Sequence, residues 1–314
     1  MASSIEVREL TKYYGSLLAV DHISFEVEAG EVFGFLGPNG AGKTTTMRML
    51  TNLTRPNEGS ATILGMDTVR DSLAVKAAVG IVPEASNVFF ELTTLANLTF
   101  TGALYGLPRK RITQRAEELI ELFDLVPHRD RKSMELSLGL RRRLTIAMSI
   151  MHEPKVVFLD EPTSGLDVES ARLIRDIVGA LRKNGVTVFI TTHNMEEANQ
   201  LCERIAVINH GRLVAVDTPE RLKQAAAEAQ AVEVAFSREL SGDEEEKLSK
   251  MACVGEVRRL GDKYHLIVSD PPCVLRALYP FINEHGLEPI AINTYGPSLE
   301  DVFVKLVGKE KEPA

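Results

Sequence analysis

The chain has 314 residues, 44% hydrophobic and 25% charged, an ordinary globular mixture that excludes disordered and fibrous classes. Its 22 glycines and 14 prolines leave no room for a collagen-like or low-complexity reading, and its length suits one large or two medium domains. A net charge of −8, from 36 basic and 44 acidic residues, argues against a chain that coats nucleic acid.

At the N-terminus, Glu6, Arg8 and Glu9 stand where a signal peptide would place its apolar stretch. No run anywhere approaches the roughly 20 apolar residues of a membrane-spanning helix. A cytoplasmic location is expected, with any action at a membrane passing through a partner. Four short runs, 32–36, 156–159, 186–190 and 205–208, are continuously apolar or nearly so and rich in Val, Ile and Phe. They predict strands buried on both faces of a largely parallel sheet. A helical stretch at 170–183 falls between two of them, and the alternation points to an α/β architecture. Residues 86–150 differ: 111–123 and 140–151 have helical periodicity, so a helical subdomain inserted in the α/β core is expected.

Pro219 suits the first position of a helix capped by Thr218, which defines a linker helix over 221–231. Beyond it the pattern restarts: strand 232–236, helix 241–252, strands 254–260 and 263–269, helix 273–285, strand 289–294 and a last helix 298–307. This β-α-β-β-α-β order predicts a small ferredoxin-like α+β domain. The expected organisation is thus 1–220, 221–231 and 232–314. Cys202, Cys253 and Cys273 are odd in number and include no CxxC pair. They predict neither a disulfide framework nor a structural zinc site, and they fit a reducing compartment.

Gly37-Pro38-Asn39-Gly40-Ala41-Gly42-Lys43-Thr44 follows the 32–36 strand directly and opens a helix at Thr45. This is G-x-x-x-x-G-K-T in the strand–loop–helix setting that confirms it. Glycines let the backbone wrap an anion at the positive end of a helix. Lys43 would reach the β- and γ-phosphates of a nucleoside triphosphate, and the Thr44 hydroxyl would ligate Mg²⁺. The 156–159 run ends in Asp160 and Glu161, at the sheet edge where open α/β proteins bind ligands. Asp160 would hold Mg²⁺ and Glu161 would polarise the attacking water. Alternation along a strand would turn the two carboxylates to opposite sides.

Further segments in one order resemble the ATP-binding subunits of ABC transporters. Lys12-Tyr13-Tyr14-Gly15 resembles the family's adenine-stacking loop, and Leu136-Ser137-Leu138-Gly139-Leu140 its LSGGQ signature. Ser164-Gly165-Leu166-Asp167 resembles the D-loop, and Thr191-Thr192-His193 the switch histidine. The resemblance covers about 5–217. It implies a P-loop NTPase domain of the ABC type, ATP and Mg²⁺ as cofactors, and a head-to-tail homodimer. In such a dimer Tyr14, the 37–44 loop and Thr45 bind one ATP, while Ser137, Gly139 and Asp167 of the other copy complete the pocket. Glu161, His193 and Lys43 are then the catalytic residues, and Thr44 and Asp160 the metal-binding ones. Two departures stand out. Leu138 and Leu140 replace a glycine and the glutamine of the signature, and Glu84 stands where the family has glutamine, which puts its role as a metal ligand in doubt. Gly261–Leu266 and 297–303 are similar to the accessory domain of ABC-2 type exporter ATPases. The implied partner is therefore an integral membrane ABC-2 type permease, with no nucleic acid. A soluble ABC-type ATPase acting on nucleic acid or the ribosome, or an importer subunit, is the alternative.

Overall fold

Ile23, Phe25 and Val27 are buried, while Ser24, Glu26 and Glu28 between them are exposed. Such alternation gives a strand with one face on a core and one in water. In a computed structural model, which describes residues 3–225, 230–296, 298–300 and 302–303, this segment pairs antiparallel within a hairpin of β1 (Ser3–Tyr14) and β2 (Leu17–Glu28). The chain divides into two compact units, Met1–Thr218 and Pro219–Ala314.

In the first unit β3 (Val32–Leu36) leads into α1 (Lys43–Leu50), followed by β4 (Glu58–Ile63), β5 (Met66–Asp67), α2 (Ser72–Ala78) and β6 (Val79–Val82). Strands β2-β1-β4-β5 make an antiparallel sheet that the sequence reading did not anticipate. Three helices follow: α3 (Thr94–Leu104), α4 (Arg109–Leu122) and α5 (Leu138–Ser149). Then come β7 (Val156–Asp160), α6 (Val168–Lys183), β8 (Thr187–Thr192), α7 (Met195–Leu201), β9 (Arg204–Asn209) and β10 (Arg212–Asp217). The second sheet runs β10-β9-β3-β8-β7-β6 and is parallel except for the β10 hairpin edge. Every residue of β3, β7 and β8 is buried, as the apolar runs predict for strands covered on both faces.

Phe25 of the antiparallel sheet stacks on Phe33 at 5.6 Å between centroids and lies 5.4 Å from Phe35 and 6.2 Å from Phe189. Aromatic burial thus joins the two sheets, and truncating one such ring costs about 3–5 kcal/mol. This core fixes the ends of β3, β7 and β8, from which the functional loops emerge.

The second unit starts with α8 (Pro219–Ala225); the rest of the expected linker helix up to 229 lies outside the described residues. It continues as β11 (Gln230–Phe236), α9 (Gly242–Ser249), β12 (Val254–Leu260), β13 (Lys263–Val268), α10 (Pro271–Glu284) and β14 (Pro289–Tyr295). The sheet order β12-β13-β11-β14 is antiparallel throughout, the topology of a ferredoxin-like domain. Val232, Val234, Leu266, Leu278 and Phe281 sit in its core. Most of the last expected helix, 298–307, lies outside the described residues.

The cysteine expectation is overturned. Cys253 and Cys273 form a disulfide, their Cα atoms 6.2 Å apart, while Cys202 is buried and free. The fold brings the approach to β12 beside the first turn of α10, a juxtaposition that chain spacing does not reveal.

Candidate nucleotide site

Only glycine fits two positions of the loop between β3 and α1. A Cβ on Gly37 would lie 2.3 Å from the Ile208 carbonyl oxygen, and Gly42 combines φ of +106° with a Cβ position 2.6 Å from the Ala19 carbonyl oxygen. The backbone therefore packs down on its neighbours and opens toward solvent at Pro38, Asn39 and Gly40, which are exposed. Ala41 is buried and donates its N–H to the Pro38 carbonyl at 3.2 Å. Helix α1 has no side-chain cap and no acidic residue in its first turn. The N–H groups of its first turn have no acceptor within the helix, and with the macrodipole they favour an anion.

Lys43 is buried, and its Nζ donates to the carbonyls of Gly37 and Pro38 at 2.8 and 3.2 Å. The ammonium is also 3.5 Å from Oε1 of Glu161. Thr44 Oγ1 lies 3.3 Å from Oδ2 of Asp160, and Thr191 Oγ1 donates to the other oxygen, Oδ1. A hydroxyl and a carboxylate beside the anion-binding loop suit a hard cation that takes its remaining ligands from water and phosphate, as Mg²⁺ does. No cage of three or more His, Cys, Asp or Glu side chains occurs among the described residues.

The two carboxylates diverge differently from the sequence expectation. Asp160 ends β7, but Glu161 has φ of +47°. A left-handed residue, not strand pleating, separates their directions; for a non-glycine this costs about 1–3 kcal/mol. The Glu161 N–H donates to the Thr191 carbonyl at 2.9 Å. His193 Nδ1 lies 2.9 Å from Glu161 Oε2. Thus β3, β7 and β8 bring Lys43, Asp160, Glu161 and His193 to one sheet edge.

Tyr14, Asn39, Gly40, Thr44, Thr45 and Glu84 line the same cleft of about 530 Å³ together with Lys43, Glu161 and His193. Tyr14 is half-exposed at the β1–β2 turn, with Lys12 Nζ 5.4 Å from its ring centroid. Ser164, His210 and Gly211 also line the cleft. Sequence reasoning names Ser164 only as the start of the D-loop resemblance and gives His210 and Gly211 no role; the β9–β10 turn that carries the latter two gives no motif signal.

Ser137, Gly139 and Asp167 form a separate cluster outside the lining of that cleft. Ser137 caps α5 by accepting from the Leu140 N–H at 3.3 Å. Asp167 caps α6, accepting from the N–H and hydroxyl of Ser170 at 2.8 and 3.0 Å, and these bonds hold its carboxyl below the usual range. A Cβ on Gly139 would lie 2.5 Å from Ser170 Oγ, so the starts of α5 and α6 touch.

A family model described as ABC transporter matches residues 20–164. The Nod factor export ATP-binding protein I of Cupriavidus metallidurans is 36% identical over 99% of both chains. The chain belongs to the ABC transporter ATP-binding proteins. The daunorubicin/doxorubicin resistance ATP-binding protein of Streptomyces peucetius is 39% identical over 97% of this chain and 92% of its own length. Among solved structures, cbiO1 of Clostridium perfringens, part of an ABC transporter complex, matches with a TM-score of 0.66 and 26% identity over 71% of this chain and 91% of that one. An ATP-binding cassette in its ADP conformation shares the fold, with a TM-score of 0.63 and 24% identity over 70% of this chain and 93% of its own. This ABC protein is therefore an ATP-binding and ATP-hydrolysing subunit of the ABC transporter type.

Proposed function

We propose that this ABC ATPase is the peripheral, cytoplasmic-face subunit of an ABC-2 type exporter and works as a homodimer closed around two ATP molecules. Its ATPase domain is 1–220, with a helical subdomain near 86–150; 221–231 links it to an accessory domain at 232–314. No helix among the described residues is long and apolar enough to cross a membrane; the proposed passage is formed by a separate permease.

The chain of contacts from Lys43 through Glu161 to His193 carries this reading. In the cleft the loop amides and Lys43 bind the β- and γ-phosphates, and Tyr14 stacks on the adenine. Thr44 and Asp160 would hold Mg²⁺, and Glu84 lines the same cleft. The metal supplies charge neutralisation at the phosphates. Glu161 accepts the proton of the attacking water, and His193 steers that carboxylate. Ser137, Gly139 and Asp167 of a second copy would then cover the γ-phosphate. The flanking side chains Leu138 and Val168 are 49% and 83% exposed, which supports burial of this surface against a partner.

The loop after Glu84 presents Phe89 and Phe90, both exposed, and Phe89 packs edge-on against Phe100 of α3 at 4.9 Å. Exposed aromatics gathered in this way suit an apolar partner surface, here the cytoplasmic end of the permease.

Affinity purification of the chain from detergent-solubilised membranes, with and without a non-hydrolysable ATP analogue, tests the proposal. It predicts one co-purifying polytopic membrane protein and two ATPase chains per complex with the analogue. Recovery of ribosomal RNA or DNA in place of a membrane protein contradicts it.

A further inference from the structure

Arg142 is 4% exposed, and it has no carboxylate partner within ion-pairing distance among the described contacts. Its guanidinium instead serves main-chain carbonyls. Nε donates to Pro162 at 3.0 Å. Nη1 donates to Pro83 and, at 2.9 Å, to Glu84. Nη2 donates to Asp160 at 2.5 Å and Glu161 at 2.9 Å. An arginine carries five N–H donors in a fixed planar fork, and all five are matched here to five carbonyls.

The location explains the demand. Strands β6 and β7 are parallel neighbours, with Val82 beside Leu159, and both end at this point. Carbonyls past a strand end have lost their ladder donors, and buried ones must be satisfied from elsewhere. Helix α5 supplies one side chain that satisfies two strand ends at once. Three of the five carbonyls, those of residues 160–162, bracket Glu161, whose left-handed backbone needs outside restraint to persist. The other two belong to Pro83 and Glu84, the start of the loop that runs on to Phe89 and Phe90. A lysine would offer a single ammonium with three donors and no planar fork.

We infer that Arg142 is a positioning residue for ATP hydrolysis: it fixes the backbone that aims the Glu161 carboxylate and makes that aim depend on where the Pro83–Glu84 loop lies. The inference rests on the proposed role of Glu161 as proton acceptor. Movement of the exposed loop would reach Glu161 through one rigid, fully bonded group. Arg142 itself is not among the residues that line the cleft.

A double-mutant cycle in the full-length protein tests it, using Arg142→Met, Arg142→Lys, Glu161→Gln and Arg142→Met combined with Glu161→Gln. Steady-state kcat and KM, equilibrium ATP affinity and melting temperature are read for each. Arg142→Met is expected to lower kcat by roughly 100-fold, the cost of misplacing a reacting group by about 1 Å, with KM and ATP affinity within about threefold. Arg142→Lys should fall between. On the Glu161→Gln background, Arg142→Met should change residual turnover by less than about twofold, because a residue that acts only through Glu161 has nothing left to aim. Retention of kcat within about threefold by folded Arg142→Met overturns the inference. So does a loss that multiplies undiminished onto Glu161→Gln. If Arg142→Met fails to fold, Arg142→Lys, alone and combined with Glu161→Gln, decides by the same criteria. Near-normal turnover by Glu161→Gln alone would remove the role of Glu161 itself and the inference with it, an outcome distinct from the other two.

Discussion

His193 Nδ1 and Glu161 Oε2 are 2.9 Å apart at the edge where β7 and β8 end. The other carboxylate oxygen faces Lys43 Nζ at 3.5 Å. One carboxylate is thus held between an imidazole and an ammonium, and the sheet sets all three positions. Replacing His193 with Ala should lower kcat about 10²-fold, within the range for losing a group that orients an acid–base residue, while ATP affinity changes little. Steady-state ATPase assays beside equilibrium nucleotide binding check this; an unchanged kcat contradicts it.

Among the described residues Lys43 donates to carbonyls of its own loop and approaches Glu161, so its charge is available to phosphate. Lys43→Ala removes a charge-assisted hydrogen bond worth about 1.5–3 kcal/mol, so ATP should bind at least about tenfold more weakly. Fluorescent-nucleotide titration measures it. Undiminished affinity would show that the phosphates lie elsewhere.

Gly139→Ala sets a gain in helix propensity of up to about 1 kcal/mol against a Cβ placed 2.5 Å from Ser170 Oγ. Ser170 is buried and fixed by Asp167, so it cannot yield cheaply. Overpacking, at about 1–3 kcal/mol, should win, and the melting temperature should fall. Adding Ser170→Ala removes the closest atom and should recover most of the loss. A stabilised single mutant would contradict the packing account.

Acid should destabilise the second unit through two glutamates. Glu233 is held down at about 2, first by its bond to Lys263, and Glu244 is lowered mainly by Arg238 and the Ser241 N–H. A folded value below the unfolded 4.5 means stability that is present above pH 4.5 and is lost as pH falls toward and below 2. Melting curves between pH 7 and 3 should show Glu233→Gln less stable at neutral pH, with a shallower acid decline. Parallel curves for mutant and parent would contradict this.

Much of the first unit was legible because its strands are short apolar runs closed by chemistry: glycine after Leu36, carboxylates after Leu159, threonines and histidine after Ile190. Composition cannot mimic such closures easily, and they place Lys43, Asp160, Glu161 and His193 together. The antiparallel sheet was missed although Ile23, Phe25 and Val27 alternate with polar residues, since continuous apolar runs drew the strand reading. Arg142 lies two residues past the signature-like segment and carries no local signal of its own. Its five carbonyl partners come from two distant segments, and no local pattern records that. The Cys253–Cys273 disulfide was hidden for the same reason: the contact is tertiary. The left-handed backbone at Glu161 was likewise invisible, because glutamate carries no propensity for it.

The central claim is that this ABC protein hydrolyses ATP held at Lys43, with Glu161 taking the water's proton. Pre-steady-state and steady-state turnover of Glu161→Gln, with ATP binding measured on the same preparation, tests it most directly. The account predicts ATP affinity within about threefold of the parent and turnover reduced by at least about 10²-fold, the contribution of a positioned general base. Turnover by Glu161→Gln at the parental rate, with ATP bound as tightly, would contradict it.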